Sequence, residues 1–115
     1  MKKYLLIANY AEADFDNYDL GNNTIVIGDF DTVAEVVEAS KADYTSAIEE
    51  EADCRFDEDD TDGRNDFLDE QLNLLTVIPA EEDKIEVGKK ETIANAYYCG
   101  YSRKTDTAYM LIRIF

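Results

Sequence analysis

Between Glu12 and Glu70 the chain carries 21 acidic residues against three basic ones, Lys41, Arg55 and Arg64, a formal −18. The other eight basic and six acidic residues leave +2, for a net −16 over 115 residues. Charge at this density restricts what can fold. A carboxylate is costly to bury unless it is paired, and three cations cannot pair 21 acids. Nearly every acidic side chain of this stretch therefore has to lie at a surface. The apolar residues among them can reach a core only where helical or strand periodicity turns the acids outward. Duplex DNA carries one phosphate per roughly 1.7 Å, so about 18 charges correspond to about 30 Å of DNA, close to the diameter of a compact domain of this size. The segment approaches nucleic acid in charge density.

The chain has the material for one core. It is 45% hydrophobic, with eight Tyr and five Phe, which suits a single acidic domain over residues 1–115. Regularly spaced Val33, Val36, Val37, Ile48, Leu72 and Leu75 separate it from disordered acidic tails, which lack such residues. Met1 to Tyr10 sets two lysines before an apolar run, but Asn9 and Glu12 cut the run short of a secretion signal or a membrane span. Cytoplasmic residence is the expectation, with Cys54 and Cys99 as reduced, buried or inert thiols.

Periodicity then orders the elements. Lys3 to Tyr10 reads as a strand, and Asp14 to Asn23 as an irregular loop closing on the turn residues Gly21, Asn22 and Asn23. Thr24 to Ile27 reads as a second strand. The period then changes to 3.6, with Val33, Val36, Val37, Ser40, Tyr44, Ala47 and Ile48 on one face and Glu35, Glu38, Glu49 and Asp53 on the other. Asp31 or Thr32 caps this helix, and Thr32 with Glu35 fits a capping box. Glu49, Glu50 and Glu51 oppose the dipole near its carboxyl end. Phe56 to Asn65 reads as an acidic loop, followed by a helix from Asn65 or Asp66 that turns Phe67, Leu68, Leu72 and Leu75 inward. Thr76 to Ile78 is extended, and Glu81 to Lys90 is an exposed connector with room for a short strand at Lys84 to Val87. The carboxy-terminal Tyr, Ile and Leu residues form a hairpin whose tip carries Arg103 and Lys104. The order β-β-α-α-β-β predicts an α+β domain: an antiparallel sheet of about four strands packed on one long amphipathic helix and a shorter second helix.

Two chemistries can be read in the acidic segment. Counting Glu58 as position 1, Asp60, Asp62, Gly63, Asp66 and Asp69 fall at positions 3, 5, 6, 9 and 12 of a calcium loop, so calcium is the one cofactor the spacing suggests. This resembles an EF-hand or a dockerin-type half-repeat, with departures. Glu stands at position 1 where Asp is the rule, Asn65 stands where an apolar residue is buried, and the paired second loop is missing. The alternative is a solvated acidic loop. Catalysis finds no histidine, no phosphate loop and no dinucleotide fingerprint, so the expectation is that the protein is not an enzyme. Tyr97, Tyr98, Tyr101 and Tyr109 on the last hairpin, and Tyr10, Phe15 and Tyr18 near the amino terminus, fit either core packing or an interface. At −16, direct nucleic-acid binding and anionic membranes are both disfavoured, which leaves cationic protein surfaces as partners.

A small, acidic, histidine-free α+β chain with carboxylates on a helix and the adjoining loop resembles the phage-encoded inhibitors that imitate DNA, including acidic anti-CRISPR proteins. The resemblance is one of size and charge placement over Glu12 to Glu70. It implies a viral inhibitor in the host cytoplasm. Such a protein occupies the nucleic-acid groove of a basic partner such as a Cas effector, with carboxylates standing in for phosphates. The partner-binding residues on that reading are Glu35, Glu38, Glu49, Glu50, Glu51, Asp53, Asp57, Glu58, Asp59, Asp60 and Asp62.

Overall fold

The structure, a computed structural model, describes residues 2–14, 20–99 and 103–115, with side chains described at 2–9, 24–96 and 107–115. Among the described residues the elements are β1 (Tyr4–Asp14), β2 (Leu20–Phe30), α1 (Val33–Arg55), α2 (Thr61–Leu72), β3 (Thr76–Val77), β4 (Lys90–Cys99) and β5 (Arg103–Arg113). The strands form one antiparallel sheet in the order β2-β1-β5-β4-β3. The α+β architecture is as expected, with the two-residue β3 as a fifth strand.

Several boundaries differ from the sequence reading. Gly21, Asn22 and Asn23 pair with Glu12, Ala11 and Tyr10 inside β2, although their local preference is for a turn. β1 extends to Asp14 and also pairs with β5, so its backbone groups are met on both sides. Ladder bonds formed over such a length outweigh turn propensity. Arg103 and Lys104 are the first two residues of β5, opposite Asp14 and Ala13, at the end of the β4–β5 hairpin expected to carry them. Lys84 to Val87 is not a strand. A 3-10 turn spans Glu82–Lys84 and delivers Ile85, 4% exposed, to the core. Gly88, at φ 84°, then reverses the chain into β4, and its N–H donates to the Arg113 carbonyl at 2.7 Å.

One face of the sheet meets α1. Tyr4, Leu6 and Ala8 of β1, Ala94 and Ala96 of β4, and Thr107, Tyr109 and Leu111 of β5 are all buried there. They meet Val33, Val36, Ser40, Tyr44, Ile48 and Ala52, a buried stripe with the period of an α-helix. Ser40 is accommodated because its hydroxyl donates to the Val36 carbonyl at 2.9 Å. Tyr109, fully buried, donates its hydroxyl to Asp43 Oδ2 at 2.8 Å, which ties the central strand to the helix. Tyr44 makes the corresponding tie to α2, donating to the Gln71 carbonyl at 2.8 Å.

The other sheet face is uncovered by either helix. There β1 and β5 present Leu5, Ile7, Ala108, Met110 and Ile112, all only half-buried. The edge strand β2 adds Val26, which is 63% exposed.

Candidate partner interface

α1 starts at the Thr32 cap its sequence predicts, with one of the two bonds of a capping box in place. Thr32 is the N-cap, its hydroxyl accepting from the Glu35 N–H at 3.2 Å. The Glu35 carboxylate returns to the Asp31 N–H at 3.4 Å, one residue before the box position. A second carboxylate arrives from far along the chain. Glu82 Oε1 accepts from the Val33 N–H at 2.7 Å, placing a negative charge at the positive end of the helix. A residue read from the sequence as part of an exposed connector is thus a long-range cap.

The helix presents Glu35, Glu38, Glu49, Glu50 and Asp53 to solvent, with Glu51 half-buried at its flank. The acids are not spread evenly. Between Glu38 and Glu49 the exposed positions hold Lys41, Ala42 and Ser46, and Lys41 pairs with Glu38 at 3.5 Å. The end of α1 is different. Glu49, Glu50 and Asp53 lead directly into Asp57, Glu58, Asp59 and Asp60 of the connection and Asp62 of α2, all exposed. Asp66, Asp69 and Glu70 continue the exposed acids along α2. The expected site is thereby divided into a small group at the start of α1 and a dense one at the α1–α2 corner.

The corner is held by the only cations in the acidic stretch near it. The Arg64 guanidinium donates to Asp53 Oδ1 through Nε at 3.1 Å and Nη2 at 2.9 Å, joining α2 to α1. Arg55 lies over the Phe67 ring at 4.9 Å, and Phe67 packs on Phe56 with centroids 5.6 Å apart. These contacts bring two acidic helix ends together. Arg55 also sits in the last turn of α1, where it complements the dipole. Glu49 to Glu51 stand a full turn before that end, so the dipole conflict inferred from sequence is small, because the effect is confined to the last turn.

The calcium spacing does not survive folding. The second helix begins at Thr61, four or five residues before the Asn65 or Asp66 expected, and Asp60 is its N-cap, accepting from the Gly63 N–H at 3.1 Å. A calcium loop must curl its positions 1 to 9 around the ion. Here positions 4 to 12 are helical, so Asp62, Asp66 and Asp69 run along a helix face while Asp60 faces its own amides. Among the described residues, no three His, Cys, Asp or Glu side chains gather as a metal site. The early start has a local cause. Asp60 is a strong capping residue, and Gly63 leaves room for its carboxylate, since a Cβ there would lie 2.7 Å from Asp60 Oδ2.

Cys54, expected as a reduced, buried or inert thiol, is a free thiol exposed on α1. Tyr109 is a core residue. Tyr10, Tyr97, Tyr98, Cys99, Arg103 and Lys104 lie outside the described side chains, and Phe15, Tyr18 and Tyr101 outside the described residues. Among the described residues no helix is long and apolar enough to cross a membrane. No family model, curated protein or solved structure matches the chain.

Proposed function

We propose that the protein is an inhibitor that imitates nucleic acid. On this reading the α1–α2 corner enters the basic groove of a DNA-handling effector, such as a Cas nuclease, in the cytoplasm of a host cell. The carboxylates occupy positions that phosphates would take. The observation that carries this reading is local. The three cations of the acidic stretch are engaged within the fold: Lys41 pairs with Glu38 away from the corner, while Arg64 on Asp53 and Arg55 on Phe67 fasten the corner and leave most of its charge uncompensated. Glu49, Glu50, Asp57, Glu58, Asp59 and Asp62 are the residues assigned to the contact. Asp60 and Asp53 are assigned to holding the corner in shape. The mechanism is competitive and needs no catalytic group or cofactor.

The test is DNA binding by guide-loaded Cas effectors, titrated with the protein and with a variant carrying Glu49→Lys, Glu50→Lys, Asp57→Lys and Glu58→Lys. Glu51 is left intact because it is half-buried and engaged. The expected result is displacement of DNA from at least one effector, weakened about 100-fold or more in the variant, because reversed charges oppose the steering field and the contacts together. No displacement across the panel, together with only abundant basic proteins captured from nuclease-treated lysate at low salt, would leave the acidity as a solubility device.

A further inference from the structure

We propose that the uncovered sheet face is a dimer interface, occupied by the same face of a second copy of this chain. The copies are related by a two-fold axis parallel to the strands. Antiparallel sheets with one face in water alternate apolar residues inward and polar residues outward. This sheet departs from that pattern where the start of β1 pairs with the end of β5: Leu5, Ile7, Met110 and Ile112 are half-buried there, and Val26 beside them is 63% exposed.

Strand register selects the occupant. Asp29 pairs with Leu5, Leu5 with Ile112, and Ile112 with Lys90, so one row across the sheet reads acid, apolar, apolar, base. Asp29 and Lys90 are both exposed at its ends. A two-fold parallel to the strands reverses the order of the row in the second copy. Asp29 then faces the partner's Lys90 and Lys90 the partner's Asp29, with Leu5 and Ile112 stacked between. The face is complementary to itself in this orientation.

Net charge favours the same packing. Both α-helices lie on the far side of the sheet, so stacking the open faces puts the two acidic corners on opposite outer surfaces, roughly 40 Å apart and well beyond the ~8 Å screening length. Pairing through the β2 edge would set the acidic layers side by side, and Ile27, the extra residue of the bulge in β2, interrupts that edge. The dimer would display two acidic corners facing opposite ways.

Sedimentation equilibrium at about 1 to 500 μM protein, in about 20 and 300 mM NaCl, tests this. The expected result is a mass twice the 13.1 kDa of the chain, with association tighter at the higher salt as the repulsion between copies of charge −16 is screened. Asp29→Lys and Lys90→Asp should each weaken association about tenfold or more, and the double variant should restore it, because the swapped pair meets again. Val26→Lys, at an exposed position, should give a folded monomer with unchanged circular dichroism. A chain monomeric throughout, a dimer indifferent to Val26→Lys, or a double variant no better than the singles would overturn the proposal.

Discussion

Tyr109 shows how a single side chain links the layers of this protein. It is fully buried on the central strand, and its hydroxyl needs a partner there, which Asp43 supplies at 2.8 Å from the neighbouring helix. The bond uses one of the chain's many acids inside the fold. Tyr109→Phe removes the donor while keeping the ring, and should cost about 2 kcal/mol, the range for hydrogen bonds to charged groups. Asp43→Asn, which keeps an acceptor oxygen, should cost less. Urea denaturation of the two variants checks the order, and equal losses would place the importance of Asp43 in its charge and not in this bond.

Among the elements, α1 is the one on which the others depend. It buries one stripe on the sheet, carries acids on the other, and is anchored at both ends by residues from elsewhere. Its start takes Thr32 locally and Glu82 from 49 positions away. Glu82→Ala removes a carboxylate from the positive end of the helix and should destabilise the protein by about 1 kcal/mol; Glu82→Gln, which retains an acceptor, should recover part of that. Chemical denaturation measures both, and a neutral Glu82→Ala would mean that Thr32 caps the helix alone. The elements were read correctly in kind wherever period and burial agreed, as for α1. They were misread where one property served two structures. Glu58 to Asp69 can be read as a calcium loop as well as a solvated acidic loop, because helix caps and calcium loops both select Asp and Gly, and only the position of the first helical turn separates them.

Across the molecule the same charge has opposite consequences for folding and for association. Holding −16 on a body with extents of 47 × 31 × 20 Å costs free energy through self-repulsion. Raising NaCl from about 10 to 200 mM should therefore increase the melting temperature by several degrees. The same change should weaken capture of a basic partner at the α1–α2 corner, since those attractions are screened as well. Parallel calorimetry and binding titrations over one salt series separate the two, and a melting temperature that fell with salt would show that local ion pairs outweigh the net repulsion.

The α+β class, the long helix, the direction of its buried stripe and the location of the acidic stretch were legible in the sequence, because each depends on residues within a few turns of one another. Their causes, periodicity and the cost of burying charge, act locally. Contacts between distant segments were not legible. The placement of β1 beside β5, the Glu82 cap on α1 and the row from Asp29 to Lys90 each join residues far apart in sequence. Composition and spacing carry no record of such meetings; the pairing of strands and the packing of α2 on α1 decide them.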